Sequence, residues 1–374
     1  MRSRRLLAVL PAIASIAALV AADGLAVASA TPTAASQQTA GPQGTAVTLF
    51  PHDIQEIQAA IQQGDTARAL EIVRSNPDVA MFHGPSGGTL LHYSASKGLD
   101  SLTAALIDAG ADLEAKATMG PMNNVVPLAA ATITKNISTM ALLLDRGAKP
   151  NASVGNRQTP LLLAVSVTSV DGARVLLDHG AAVDLGDTYG TPLVHAAGRG
   201  DSAMVILLLE RGADINSGSA ASEQPIGSAA MEGRAGVVRL LLSRGADLEA
   251  TRAYFDSPAS SAAREHPEVA TLLKRAWVFG RAAEKGTLAI VRSMSSHEPC
   301  FVNERIGGFT PLGLAVRGHH PDVVEALLAA GADPNLTSDV SKTALDLAGD
   351  DVAIKNLIIN AGGRPGVAEG WRKQ

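Results

Sequence analysis

The chain has 374 residues, enough for two or three ordinary domains or for one long array of repeats. Apolar residues make up 46% of it but aromatic residues only 3%, which favours close packing of small-sided helices over a core of large rings. The net charge is −5 without long runs of like charge, so the composition does not indicate a nucleic-acid partner.

The first 30 residues have the layout of a secretory signal peptide. A basic start precedes an uncharged apolar run over residues 6–22, and Ala28-Ser29-Ala30 offers a small-residue cleavage site. An uncleaved membrane anchor is the alternative, since the run is almost long enough to span a bilayer, but Pro11 interrupts it. We expect cleavage before Thr31, export to the periplasm or the cell exterior, and no membrane span in the mature chain. Residues 31–51 follow as a low-complexity linker for which we expect disorder.

The stretch over residues 187–216 shows the most regular helix–turn–helix pattern of the chain. Thr191-Pro192 opens a helix, because the Thr side chain can cap it and Pro at the first helical position loses no hydrogen bond. Gly200 suits a turn with positive φ, and Leu207-Leu208 lies at helical spacing on a second helix that Gly212 can end. A unit of this size cannot bury its apolar side alone, so the pattern predicts further copies.

Two independent marks show these copies. A Gly-Ala pair ends the second helix of each unit, at Gly110, Gly147, Gly180, Gly212, Gly245 and Gly331. The intervals between the first five are 37, 33, 32 and 33 residues. A helix-opening pattern of the Thr-Pro-Leu type recurs in the same register, beginning at Thr89, Val126, Thr159, Thr191, Gln224, Ser257, Thr310 and Thr343.

A period of 33 residues with these openings and ends resembles the ankyrin repeat family. The predicted fold is an all-α ankyrin-repeat solenoid of about ten helix–turn–helix units joined by short hairpin-like links. The predicted organisation is a signal peptide over 1–30, a linker over 31–51, a first block of repeats over 52–275, further repeats over 276–365 and a tail over 366–374. In the family's Thr-Pro-Leu-His pattern the histidine is expected to form hydrogen bonds within the stack, and here that residue is His92.

The interval from Gly245 to Gly331 is longer than two periods. The second helix beginning at Pro267 has no Gly-Ala end and runs directly into the stretch 276–286, which resembles the opening of the first unit. Two interpretations stay open: a second block that begins near Trp277, or one irregular repeat in a continuous stack, with Trp277 and Phe279 filling the space of the missing link.

The resemblance also implies where a partner binds, since ankyrin repeats generally use hairpin tips and the exposed face of the first helix of each unit. The candidate contact residues at these positions are Asn156, Arg157, Tyr189, Arg199, Met231, Glu232, Tyr254, Phe255, Arg264, Arg305 and Arg317. Aromatic and arginine side chains are enriched in interface hot spots. A tip tyrosine can equally pack on its neighbour's hairpin, so that alternative stays open.

The sequence shows no nucleophile elbow, phosphate loop or Cys-x-x-Cys pair, and none of its nine histidines has a convincing metal spacing. It therefore predicts no catalytic, cofactor or metal site, and its single cysteine, Cys300, is interpreted as a partly buried small residue in preference to an intermolecular disulfide. We expect a monomeric, non-enzymatic protein that binds a protein partner. The alternatives are a membrane-tethered spacer and an accessory or targeting protein for an enzyme or toxin.

Overall fold

The computed structural model describes residues 51–84, 86–119, 122–218, 224–249, 251, 264–338 and 341–366. The described chain is mostly helical and consists of short helices in successive pairs, as predicted. Its internal contacts divide it into two compact units, unit 1 over Met1–Thr188 and unit 2 over Tyr189–Gln374. The predicted signal peptide, most of the linker, Tyr254, Phe255 and residues 367–374 lie outside the described residues.

Unit 1 contains four helix pairs among its described residues. They are α1 (Pro51–Gln62) with α2 (Thr66–Ser75), α3 (Leu90–Lys97) with α4 (Asp100–Asp108), α5 (Pro127–Ile133) with α6 (Ile137–Asp145), and α7 (Pro160–Ser166) with α8 (Val170–Asp178). An antiparallel hairpin of β1 (Ala117–Met119) and β2 (Met122–Val125) forms the longer link between the second and third pairs.

Unit 2 continues the pattern. Its described helices are α9 (Pro192–Arg199), α10 (Ser202–Glu210), α11 (Pro225–Met231), α12 (Ala235–Ser243), α13 (Pro267–Glu284), α14 (Leu288–His297), α15 (Pro311–Arg317), α16 (Pro321–Ala329), α17 (Ala344–Leu347) and α18 (Val352–Asn360). No helix among the described residues is both long enough and apolar enough to cross a membrane.

The helix ends follow the local chemistry of the sequence. At Thr159, Thr191 and Thr310 the side chain accepts a hydrogen bond from the backbone N–H three residues later, which caps the first helix of the pair. All six glycines of the Gly-Ala marks adopt positive φ, from 84° at Gly212 to 97° at Gly147. Both marks therefore predicted the helix boundaries of the described residues correctly, because each acts on the backbone next to it. The predicted opening at Ser257 lies outside the described residues.

Neighbouring pairs pack by their equivalent helices, as α9 does against α11 and α13 against α15. Small side chains allow this approach: a Cβ atom on Gly198 of α9 would lie 2.5 Å from Ser228 Oγ of α11. The leucines predicted for the core, including Leu193 and Leu208, are fully buried. Within each unit the core is therefore a layer between successive helices rather than a cluster of aromatic rings.

Helix α13 departs from this pattern. It is one unbroken helix of 18 residues that packs against α12, α14 and α15. Since an α-helix does not reverse direction, the chain continues straight at the point where a regular repeat turns back through a link. The predicted boundary between residues 275 and 276 falls inside this helix, and the division into two blocks stays a prediction.

Two aromatic rings support the second half of α13. Phe279 is fully buried, and its ring centroid lies 6.1 Å from that of Phe301. Trp277 is half-buried. Arg305, in the link after α14, pairs through its backbone with the link after α12: its N–H donates to Ala246 O at 3.2 Å and its carbonyl accepts from Leu248 N at 2.9 Å. Of the two aromatic residues that the sequence places at this junction, Phe279 is therefore the buried one, whereas Trp277 is half-buried.

Candidate partner-binding surface

The ends of the first helices α9 and α11 bring three of the predicted contact residues together in unit 2. Arg199 ends α9, and Met231 and Glu232 lie at the end of α11 in the next pair. Because α9 and α11 pack closely, Glu232 Cγ lies 4.0 Å from the Cβ position of Gly198. All three side chains are half-buried. The structure thus gathers a cation, a thioether and a carboxylate at one edge.

Arg199 is the residue with the most unusual environment in this group. Its Nε atom is buried and has no hydrogen-bond partner, and burial lowers the pKa of its guanidinium, partly offset by the nearby Asp201 carboxylate. The neighbouring Arg234 is satisfied, since its Nε donates to Gly198 O at 3.1 Å. A buried donor without an acceptor destabilises the isolated protein, and an incoming acceptor removes that cost.

Tyr189 lies at the hairpin tip before α9 and is 59% exposed. The chain turns at Gly190, where φ is 150°, and Thr191 then caps the helix. The Thr191 hydroxyl is also 3.0 Å from Ser217 Oγ in the link after α10, which holds this tip against the following link. The aromatic ring is therefore presented on a constrained loop, as an interface anchor requires.

Arg317 lies at the end of α15, the equivalent of Arg199 in a later pair. It is exposed, and its guanidinium carbon lies 4.3 Å from the centre of the Phe309 ring at the tip before the same helix. A cation–π contact of this kind holds the side chain along the exposed face of the helix. The structure thus joins an aromatic residue at a tip to a predicted contact residue at the end of the following helix.

The other predicted contact residues are more scattered. Arg157 is exposed, with a φ of 60°, in the short 3-10 turn Gly155–Arg157 that also contains Asn156, and Arg264 is exposed before α13. Arg305 is half-buried, and its backbone belongs to the paired links described above. Its position is that of a joint in the scaffold more than that of a free tip.

A row of side chains between successive links was not anticipated from the sequence. The fifth residue of a Gly-Ala-x-x-x stretch accepts a hydrogen bond from the backbone N–H of the third residue in the next such stretch, or, after the last one, in the Gly362-Gly363 stretch. In unit 1 Glu114 accepts from Lys149 N at 2.8 Å, and Asn151 from Ala182 N at 2.8 Å. In unit 2 Asn216 accepts from Asp247 N and Asn335 from Arg364 N, both at 2.9 Å. The recurrence of Asn, Asp or Glu at this position was the signal that could have revealed the row.

His92 is the buried member of the hydrogen-bond network. It is 1% exposed, and its Nε2 atom lies 2.8 Å from Val125 O in the link of the next pair. Its Nδ1 atom lies 3.3 Å from the backbone N of Thr89, whose hydroxyl caps the same helix. Burial lowers its pKa from 6.5 to about 4, so the ring is neutral at pH 7. The predicted role of His92 within the stack is confirmed.

Other reactive groups are few among the described residues. Cys300 is half-buried, and burial together with the Glu298 and Glu304 carboxylates raises the pKa of its thiol to about 11, which makes it a poor nucleophile. His52, Asp53 and Glu56 lie near enough to share a metal ion. Both carboxylates are engaged, however, since Asp53 accepts from Asn76 Nδ2 and Glu56 from Arg68.

Comparison with known families settles the nature of the repeats. Two ankyrin family models match the chain, one described as "Ankyrin repeats (3 copies)" over residues 128–219 and 186–252, the other as "Ankyrin repeats (many copies)" over residues 300–348. The chain belongs to the ankyrin repeat family. Ankyrin repeat proteins are generally non-catalytic interaction modules.

Individual ankyrin proteins resemble the chain only in part. The putative ankyrin repeat protein FPV014 of fowlpox virus is 27% identical over 170 residues, which is 45% of this chain and 38% of the viral protein. The human NAD-capped RNA hydrolase NUDT12 is 37% identical over 71 residues, 19% of this chain and 15% of the hydrolase. The chain thus spans less than two-fifths of the length of these curated relatives.

One solved ankyrin structure also aligns with it. The human ASB11 ankyrin repeat domain is 21% identical and is covered over 99% of its length by 74% of this chain, with a TM-score of 0.37.

Proposed function

We propose that this chain is a non-enzymatic protein-interaction module that binds a protein partner through its hairpin tips and the concave face of its first helices. The membership of the ankyrin family supports this proposal in its general form. In unit 2 the residues that carry it furthest are Tyr189, Arg199 and Arg317. Each is a side chain type that dominates interface energies, placed at a tip or at the exposed end of a first helix.

The observation that carries the proposal is the buried, unpartnered Nε atom of Arg199. A carboxylate or carbonyl oxygen of a partner that reaches this guanidinium satisfies the donor and forms a charge-assisted hydrogen bond. Met231 beside it supplies an adaptable apolar contact, and Tyr189 supplies a rigid aromatic one. This combination suits a partner surface with an acidic group next to apolar side chains.

The test is affinity capture from the fraction in which the protein resides, followed by direct binding measurements with the purified partner. Tyr189→Ala and Arg199→Ala are expected to weaken binding by at least about tenfold each, as hot-spot truncations do. Arg199→Lys keeps the charge but lacks Nε, so it should fail to restore affinity. Val352→Ala, at an exposed apolar residue of the last helix, is the matched control. If the Tyr189 and Arg199 variants recover as much partner as the Val352→Ala control, the proposal is wrong.

We further propose that the protein is exported and acts in the periplasm or outside the cell. The support is the layout of residues 1–30, with its basic start, apolar run and small-residue cleavage site. Mass spectrometry of the mature N-terminus tests it: a chain that starts at Thr31 agrees with cleavage, whereas an intact Met1 favours the membrane-tethered spacer.

A further inference from the structure

The second half of α13 and the start of α14 line an open groove with apolar side chains. The main partners of α13 among the described elements are α12, α14, α15 and the 3-10 turn Pro299–Phe301. In the regular part of unit 2, by contrast, a first helix such as α11 has another first helix, α9, against it. Among the described elements, no first helix of an earlier pair is a main partner of α13.

The exposure of individual side chains shows the consequence. Val278 on α13 is 51% exposed and Ile290 on α14 is 39% exposed. Ile290 corresponds in sequence to Ile72 of the first helix pair, which is only 5% exposed. Single exposed apolar residues are common, but these two line the same groove.

The groove has a volume of about 290 Å³. Its lining residues are Trp277, Val278, Arg281, Ala282, Lys285, Thr287 and Ile290. Small-molecule sites usually measure roughly 300–1,000 Å³ and enclose their ligand. This open groove is at the lower limit of that range, so it fits one large side chain of a protein better than a complete cofactor.

The charge around the groove is positive, although the whole chain carries −5. Arg281 and Lys285 are exposed along its edge, and Lys274 lies on the same side of α13. Glu284 is the neighbouring acid, at 3.9 Å from Arg281 Nε. No described carboxylate lies within ion-pair distance of Lys274 or Lys285. An acidic segment is therefore the electrostatic complement of this surface.

We propose that this groove, lined by Trp277, Val278, Ala282 and Ile290 and edged by Arg281 and Lys285, binds an apolar side chain carried by an acidic segment of a partner protein. The apolar lining of the groove contacts the side chain, and Arg281 and Lys285 bind the carboxylates that flank it. The proposal rests on the proposed protein-binding function but uses a different surface from that of Tyr189 and Arg199.

The experiment uses the full chain with Trp371→Phe, which leaves Trp277 as the sole tryptophan, since the chain has two. The probe is a synthetic peptide with one Phe between two acidic pairs, Gly-Glu-Asp-Phe-Asp-Glu-Gly. Two matched peptides replace Phe by Ser or every acid by Lys. Binding is followed by Trp277 fluorescence and by calorimetry. The acidic Phe peptide should bind at least about tenfold more tightly than either matched peptide.

Three variants locate the binding. Ile290→Asp and Arg281→Glu are expected to weaken it at least about tenfold, while Val352→Asp, at a 67% exposed valine of α18, should leave it unchanged. Both groove positions are solvent-exposed, so the variants should keep the wild-type circular dichroism. Tyr189→Ala should also leave peptide binding unchanged, which separates this proposal from that of the first surface.

Several outcomes overturn the proposal. They are the absence of peptide binding, equal binding to wild type and Ile290→Asp, and equal binding of the acidic and lysine peptides. Concentration-dependent self-association that Ile290→Asp abolishes would assign the groove to a second copy of the chain. Binding to acidic phospholipid vesicles without peptide binding would assign it to a membrane surface.

Discussion

Acidification should loosen the helix pair α3–α4 because His92 must then accept a proton in a buried site. In the neutral ring Nε2–H donates to Val125 O and Nδ1 faces the backbone N–H of Thr89. A proton on Nδ1 removes the acceptor of the Thr89 N–H and leaves Thr89 Oγ1, 2.9 Å away, to accept both this proton and the His92 N–H. It also places a charge in a site that is 1% exposed. The pKa of His92 is therefore lower in the folded state than in the unfolded chain.

The magnitude follows from the depression of the pKa of His92 from 6.5 to about 4. Between these values the unfolded state binds more protons than the folded state, so stability falls as the pH falls. The full loss is about 3 kcal/mol, since one pKa unit corresponds to about 1.4 kcal/mol. At about pH 5 linkage gives a loss of about 2 kcal/mol, or about 30-fold in the local opening equilibrium.

Hydrogen exchange followed by mass spectrometry measures this opening helix by helix. From about pH 7.5 to about pH 5 the protection factors of α3 should fall about 30-fold in the wild type. They should stay nearly constant in His92→Gln, whose amide nitrogen can still donate to Val125 O but does not titrate. His297→Gln, at an exposed histidine of unit 2, should behave like the wild type. An equal fall in wild type and His92→Gln would refute the reasoning.

Three further predictions concern stability, each measured by urea denaturation or hydrogen exchange of unit 2. Glu304 is fully buried and neither carboxylate oxygen has a hydrogen-bond partner, so burial raises its pKa well above the usual value. Stability should therefore decrease as the pH rises from the ordinary carboxyl pKa to the raised one, because the unfolded chain ionises first, and Glu304→Gln should abolish this decrease; an identical decrease in both proteins would contradict this. Asn216→Ala should cost about 1–2 kcal/mol by leaving Asp247 N–H without its acceptor, whereas Asn216→Asp should be tolerated; equal costs would exclude the acceptor role. Leu208→Ala should cost roughly 2–5 kcal/mol because the side chain is fully buried, and a cost below about 1 kcal/mol would argue against that packing.

The repeat scaffold was largely predictable because its signals are local. Thr191 caps α9 through its own neighbours, and Gly212 ends α10 through its own φ of 84°. The continuous helix through residue 275 was also predictable, since no turn signal interrupts the sequence there. The β1–β2 hairpin was not recognised, because its strands of three and four residues carry too little pattern to show a strand.

The candidate surfaces were predictable in position but not in environment. Sequence register placed Arg199 at a helix exit, but only the structure shows that its Nε atom is buried. Register also made Ile290 the equivalent of Ile72, although one is exposed and the other buried. In both cases the burial of the side chain depends on tertiary packing, which the local sequence does not specify.

The sequence by itself determined the family, the period and the ends of the helices, because caps, prolines and glycines act on the backbone beside them. The tertiary structure decided which side chains bridge successive links, as Asn216 does to Asp247, and which are exposed, as Val278 is on the straight helix α13. Those outcomes depend on residues about one repeat or more away. Their physical basis is the distance and direction between stacked helices, which is set when the pairs pack together.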